Sequence, residues 1–210
     1  MNPLHSEADW IERNQEMGSI GTPKTKENTP IVQVEKTKSV PDIVHEAENG
    51  IRDDKTETAI VFDSEGNILL KKGEGKTSSV SFTPDESKLF ADAIFTHNHP
   101  SGSTFSEADL KTALTAGVRE MRACHKSGAY VLKRTFEIGQ LVPAKYKDFY
   151  KDYTKAFNKY KKTIVDHIWE SSEQTLKDAN DCNNMLSEFR KDWLRTYAKD
   201  YGWEYTEESL

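Results

Sequence analysis

The sequence is poor in cysteine, in long apolar runs and in net positive charge, and each shortage excludes a class of protein. Only Cys124 and Cys182 occur among 210 residues, too few for a disulfide framework and without the spacing of a thiolate metal site. No apolar run approaches the length of a membrane span, and the opening MNPLHSEADW lacks the basic-then-apolar order of a secretion signal. We therefore expect a cytoplasmic protein in a reducing compartment, without a membrane partner.

The charge balance is acidic, with a formal net charge of -6. This balance argues against nucleic acid as a partner for the molecule as a whole. Hydrophobic residues make up 35% of the sequence, and the mean hydropathy is -0.78. These values predict that part of the chain is extended or thinly packed.

The pattern along the chain predicts three segments. Residues 1–40 are polar, contain Pro, Thr, Lys and Gly without a sustained period, and are interpreted as a flexible N-terminal arm. Residues 41–143 mix helices and strands without regular βαβ alternation, which favours an α+β domain. A third segment, 144–210, is predicted to be a C-terminal helical hairpin.

Within the central segment, short apolar runs separated by turn residues predict a mainly antiparallel sheet flanked by helices. One hairpin turns at Gly66. A helix follows Thr83, the start of a capping box, and another is expected over SEADLKTALTAGVREM. A short helix is expected in PDIVHEAENGIRDD. The predicted strands lie near residues 57–63, 67–72, 78–82, 93–97 and 129–135.

The third segment carries aromatic and aliphatic residues at helical spacing, with lysines on the opposite side. After the turn-prone DANDCNN a second such pattern follows. Because the lysines face away from the aromatic residues, a packed helix with a solvated basic face is favoured over a nucleic-acid stacking surface. The two stripes are Tyr146, Tyr150, Tyr153, Phe157, Tyr160, Ile164 and Ile168, and then Met185, Leu186, Phe189, Trp193 and Tyr197.

The chemistry is concentrated in IFTHNHPSGSTFSEADL, residues 94–110. On a strand, His97 and His99 point to the same side, since side chains alternate with period two. Asp109 falls in the first turn of the next helix, and the loop between them can return its carboxylate to the strand end. Two histidines and one carboxylate, with a coordination position left for water, form the ligand set of a catalytic zinc site.

The same residues also have a purely structural interpretation. The segment can be a polar turn that happens to contain two histidines. Ser106 can be a helix N-cap, with Asp109 as the reciprocal residue of the capping box or as a favourable charge at the helix N-terminus. The metal interpretation is favoured because all four residues fall within a strand–loop–helix junction.

These residues resemble the signature of the JAB/MPN (JAMM) metalloprotease-like domain, particularly its RadC-like and phage-associated bacterial branches. The family pattern H-x-H-x7-S-x2-D is matched at His97, His99, Ser106 and Asp109, although six residues, not seven, separate His99 from Ser106. The resemblance covers about residues 55–142. It implies a curved, JAB-like sheet, bound Zn²⁺ with His97, His99 and Asp109 as ligands, and a cytoplasmic location in a bacterium or a phage-infected cell.

The resemblance also implies an upstream glutamate as general base, and Glu57, which opens ETAIVFD, occupies that position. Without the resemblance, Glu57 would be interpreted as an ordinary exposed residue at the start of a strand. The implied reaction is hydrolysis of a peptide or isopeptide bond by zinc-activated water, with Ser106 donating to the oxyanion. The implied partner is a protein or peptide substrate, including a ubiquitin-like or phage protein.

Two other functions compete with this interpretation. An HNH nuclease is disfavoured, because that name describes residues spread over a ββα-metal unit and because the loop SGSTFSEAD has no basic residue. The stronger rival is a non-catalytic accessory, head-morphogenesis or scaffold protein of phage type. It would keep a JAB-like fold and use its helical tail to dock a protein partner.

Overall fold

A computed structural model describes residues 38–137, 140, 142–170 and 176–209, with the side chains of residues 167–180 left undescribed. Within these ranges the chain combines a six-stranded sheet with helices, so the predicted α+β class is confirmed. The strands are β1 (Thr58–Phe62), β2 (Ile68–Gly73), β3 (Ile94–Asn98), β4 (Glu120–His125), β5 (Gly128–Arg134) and β6 (Trp203–Ser209).

The sheet has the order β2-β1-β3-β4-β5-β6. Neighbouring strands are antiparallel except for β3 and β4, which are parallel, so the sheet is mixed. Ala59 on β1 pairs with His97 on β3. Because these two strands run in opposite directions, the residue before β1 and the residue after β3 lie side by side at the same end of the two strands.

The helices are α1 (Val40–Asn49), α2 (Pro84–Ser87), α3 (Glu107–Thr115), α4 (Phe149–Glu170) and α5 (Leu176–Tyr197). Each of the first three begins with a capping box, at Ser39, Thr83 and Ser106 respectively, which satisfies two otherwise unpaired backbone N–H groups. The sequence predicted the caps at Thr83 and Ser106. It also predicted the β1–β2 hairpin, where Gly66 has a positive φ of 87°.

Two predicted elements in the central segment are wrong, and one strand was not predicted. Residues 78–82 form no regular strand, and β4 was missed. The helix expected to reach Met121 ends at Thr115, because Gly117 takes a left-handed φ of 68° and redirects the chain into β4. Val118 and Met121 are buried as expected, but Val118 lies in the connection before β4 and Met121 lies on β4, not on a continued helix face.

The C-terminal segment is helical over most of its length, but its last part is not. Residues 203–209 form β6, which pairs with β5 along its whole length and corrects the prediction of a helical hairpin through residue 210. DANDCNN, predicted as a turn, lies inside α5. The predicted N-terminal arm lies outside the described residues except for its last three, which lead into and begin α1.

The helical segment shares its core with the central segment. Tyr153 and Phe157 on α4 stack against each other, and Trp193 on α5 meets Tyr153 edge-on at 5.2 Å between ring centroids. These rings join Phe105 and Leu110 in one hydrophobic cluster. Tyr153, Phe157 and Trp193 are therefore core residues, as the sequence indicated, and the predicted division at residue 143 runs through a common core.

The opposite face of the sheet carries a buried ion pair that joins α1 to β4. Glu48 is fully buried and accepts hydrogen bonds from Nε of Arg122 at 2.6 Å and from Oγ1 of Thr96 at 2.7 Å. Arg122 also contacts Glu120 and Glu208. The guanidinium is thus held by three carboxylates, one of them wholly removed from water.

Glu48→Ala is expected to destabilise the protein by about 3–5 kcal/mol, because it removes one partner of a buried ion pair and leaves the other desolvated. Glu46→Ala on the same helix is the control: Glu46 pairs with Lys38 on the surface, where such a pair contributes about 0–1 kcal/mol. Urea unfolding of the two variants measures the difference. Equal losses of stability would contradict the role given to Glu48.

Among the described residues, no helix combines the length and the apolar character required to cross a membrane.

Candidate metal centre

The two histidines lie at the carboxyl end of β3, a central strand buried along its whole length. His97 is 1% exposed and His99 is 9% exposed. Because they are two residues apart, both imidazoles project from the same side, and their Nε2 atoms lie 2.9 Å from each other. The alternation that the sequence predicted for this pair is therefore present.

Asp109 is turned toward both histidines by the capping box of α3. The backbone N–H of Ser106 donates to Oδ2 of Asp109 at 2.6 Å. In that position Oδ1 lies 3.3 Å from Nε2 of His97, and Oδ2 lies 3.5 Å from Nε2 of His99. The capping and metal-site interpretations of Asp109 are thus compatible, since one carboxylate serves both.

Glu57 reaches the same place from the neighbouring strand. It immediately precedes β1, is 8% exposed, and its backbone N–H donates to the carbonyl of Lys76 at 2.7 Å. One potential ligand atom each from Glu57, His97 and His99 lies within 4.8 Å of the other two, a buried cluster that could hold a metal ion.

Asn98, between the two histidines, fixes the chain that carries Glu57. Its Oδ1 accepts from the N–H of Thr58 at 2.7 Å, and its Nδ2 donates to the carbonyls of Asp54 and Thr56 at 3.2 and 3.1 Å. Its side chain thus points to the opposite side of the strand from the imidazoles and ties residues 54–58 to β3. Sequence reasoning missed this residue, because its partners are backbone groups distant in sequence.

Asn98→Ala is expected to cost about 1–3 kcal/mol of stability, because it removes a fully buried side chain that makes three hydrogen bonds to part-buried backbone groups. Zinc binding should weaken as well, because Asn98 joins the chain that carries Glu57 to the strand that carries His97 and His99. Asn67→Ala is the control, since Asn67 bonds to Asp63 on the surface. Thermal unfolding and zinc titration measure both effects. Unchanged values for Asn98→Ala would refute the role of Asn98 in tying residues 54–58 to β3.

Hydrogen bonds around the loop after β3 set the orientation of His99. Its Nδ1 lies 2.7 Å from the carbonyl oxygen of Ser103. Since a carbonyl only accepts, Nδ1 carries the proton and the lone pair of Nε2 faces the cluster. Tyr130 donates its hydroxyl to the carbonyl of Gly102 at 3.3 Å. Among the described residues, Nδ1 of His97 has no hydrogen-bond partner.

The electrostatics of the centre follow from burial and from its opposite charges. Burial raises the pKa of Glu57 above its usual value. Burial also favours the protonated form of Asp109, but the two imidazoles outweigh it and hold the pKa of that carboxyl well below its usual range. Burial lowers the pKa of His99, but the hydrogen bond and the charge of Asp109 act in the opposite direction. Their effect is larger, so the pKa of His99 lies above its usual value.

The donor set fits a divalent metal. Two imidazole nitrogens and two carboxylates converge from different elements, and the two Nε2 atoms lie 2.9 Å apart. Nitrogen and carboxylate oxygen donors in this mixture suit zinc. Asp109 and Glu57 are both placed to supply a carboxylate oxygen beside the two histidines.

Ser106 is both the N-cap of α3 and part of the wall of the cleft at the centre. Its Oγ accepts from the N–H of Asp109 at 3.2 Å, so its own hydroxyl proton is free to donate elsewhere. His45 lies apart from the cluster and contacts Glu208, and His125 stacks on Tyr130.

No protein-family model matches the chain, and a search of curated proteins finds no match.

Proposed function

We propose that the protein is a zinc-dependent hydrolase of peptide or isopeptide bonds, with a JAB/MPN-like domain of the RadC-like or phage-associated kind, acting in the cytoplasm. The observation that carries the proposal is the convergence of Glu57, His97 and His99 in a buried cluster, with Asp109 beside both imidazoles. The antiparallel β1–β3 pairing supports it, because it brings an upstream glutamate to the His-x-His motif.

In the proposed site His97, His99 and Asp109 hold the ion, and zinc when bound supplies Lewis-acid activation of water and of the scissile carbonyl. Glu57 takes a proton from the attacking water and delivers it to the leaving nitrogen. The hydroxyl group of the water ends on the carbonyl carbon, so the C–N bond is replaced by a carboxylic acid and an amine. The raised pKa of Glu57 suits this exchange, because a base works best with a pKa nearer the working pH.

Ser106 is assigned the role of hydrogen-bond donor to the oxyanion that forms during hydrolysis. Its hydroxyl lines the cleft, and its proton is not engaged by the cap, so it can donate to the carbonyl oxygen as negative charge develops there. The capping bond fixes the serine rotamer before substrate binds. Such preorganisation is what makes a single donor effective in a buried site.

A second function, docking of a protein partner by the helical segment, is favoured by one specific observation. An apolar groove of about 490 Å³ lies on α4 and α5, with Phe189 and Trp193 in its wall. Met185 and Tyr197, also in its wall, are 44% and 46% exposed. A non-catalytic accessory or scaffold protein would use this groove and would leave the histidine cluster without metal.

Elemental analysis of the purified protein separates the two functions. The hydrolase requires about one zinc per chain, and proteins cleaved by the wild type but not by Glu57→Gln then identify the substrate. Metal-free protein that gains no zinc on addition of the ion would refute the hydrolase and leave the docking function.

A further inference from the structure

A cavity of about 270 Å³ opens directly onto the candidate metal centre, with Glu57, His97, His99 and Asp109 in its wall. Its volume is slightly below the range of about 300–1,000 Å³ found for sites of drug-sized ligands. It therefore fits about one residue of a peptide, and not a folded surface. Because the cavity and the cluster share residues, whatever fills it lies beside the bond that the site would cleave.

The floor of the cavity is apolar because of the sheet register. Phe95 lies two residues before His97 on β3, so both side chains project from the same face. Met121 on β4 pairs with Phe95, and Ala59 on β1 pairs with His97. All three apolar side chains are buried and line the cavity. The floor beside the imidazoles is thus formed by three adjacent strands.

One side of the cavity is formed by residues 77–82, which leave the β2 edge without forming a strand. Val80 and Phe82 are half-buried there, and the Phe82 ring packs edge-on against Phe95 at 5.7 Å between centroids. Lys72 approaches the Phe82 ring, but its ammonium group is paired with Glu86 at 2.9 Å. The ammonium group of Lys72 is therefore already paired with a carboxylate and does not make this side of the cavity cationic.

The rest of the rim consists largely of small hydroxyl side chains. Three come from the segment before Val80 and three from the loop and cap after β3, namely Thr77, Ser78, Ser79, Ser101, Ser103 and Ser106. Such a rim can pair with the backbone of an extended peptide. The carboxylates in the wall, Glu57 and Asp109, would balance the charge of a bound divalent ion, so an acidic side chain gains no net attraction there.

From this lining we infer that the cavity binds one uncharged, apolar side chain of an extended peptide, next to the scissile amide. The inference rests on the proposed hydrolase function and adds its substrate class. Removing one methylene from a side chain in an apolar pocket typically changes discrimination by about 10–200-fold. The substrate preference should therefore be pronounced and should depend on Val80 and Phe82.

The test uses hydroxamic acids, which chelate zinc through the hydroxamate and present a variable group to the cavity. Isothermal titration calorimetry on the zinc-loaded protein compares 4-methylpentanohydroxamic acid, acetohydroxamic acid and succinic monohydroxamic acid. We expect the branched apolar compound to bind at least about 10-fold more tightly than either of the others. Equal affinities of the three compounds would overturn the apolar pocket and leave the zinc site standing.

Val80→Asp should abolish this preference, so that the branched compound and acetohydroxamic acid bind with similar affinity. Leu69→Asp is the matched control, because Leu69 is 42% exposed on β2 and does not line the cavity; it should keep the wild-type preference. A preference that survives Val80→Asp would contradict the inference. Affinities that are the same with and without zinc, with the apolar preference kept, would instead contradict the hydrolase and support the pocket. No binding of any compound would overturn both.

Discussion

Zinc binding is expected to weaken by about 10²–10³-fold when His97 or His99 is replaced by alanine. Zinc sites in small folded domains contribute about 10–16 kcal/mol, or about 2.5–4 kcal/mol for each of about four ligands, which corresponds to that loss. Both imidazoles are buried and their Nε2 atoms lie 2.9 Å apart, so both are placed to bind the same ion. Competition titration with a zinc chelator measures the change.

His45→Ala is the control for this prediction, because His45 is half-buried and contacts Glu208 away from the cluster. It should bind zinc as the wild type does. Circular dichroism and thermal unfolding of the metal-free variants separate loss of a ligand from loss of the fold. Wild-type zinc affinity in the folded His99→Ala protein would show that the ion, if bound, lies elsewhere.

Glu57→Gln is expected to lower hydrolysis by about 10²–10⁴-fold, the usual contribution of a positioned acid–base group. The substitution keeps the shape of the side chain but removes its capacity to accept the proton. If Glu57 is the base and not a ligand, zinc affinity and thermal stability stay nearly unchanged. The measurement is turnover of the substrate found by the comparison of cleaved proteins, alongside the zinc titration.

The control is Glu65→Gln, at an exposed position in the β1–β2 turn, which should leave turnover unaffected. Loss of zinc in Glu57→Gln would assign Glu57 to the ligand set, as its position within 4.8 Å of both histidines allows. Full activity in Glu57→Gln would place the base on another group.

The spatial grouping of the candidate site residues could be predicted from the sequence more fully than the sheet could. His97, His99 and Asp109 come together because a two-residue period and a capping box are local rules that hold wherever the strand and helix form. Glu57 required a long-range pairing, β1 against β3, that the spacing of residues does not reveal. It was placed by resemblance, and the strand register brings it to the site.

The missed strands have separate physical reasons. All four inner residues of β4 are buried on both faces, including Arg122, so its sequence lacks the alternation that marks a half-exposed strand. In β6 the alternation is present, since Trp203 and Tyr205 are buried and Glu204 is exposed. This alternation covers only a few residues and directly follows a long helical pattern, so the sequence is interpreted as helical to its end. Residues 78–82 alternate but do not join the sheet, and line the cleft instead.

The most direct test of a metal centre at Glu57, His97, His99 and Asp109 is anomalous X-ray diffraction at the zinc edge from crystals of the zinc-loaded protein. We predict one strong anomalous peak within coordination distance of Nε2 of His97, Nε2 of His99 and a carboxylate oxygen of Asp109, with Glu57 nearby but not ligated. A peak at another place on the protein, or none at a saturating zinc concentration, would contradict this account of the site.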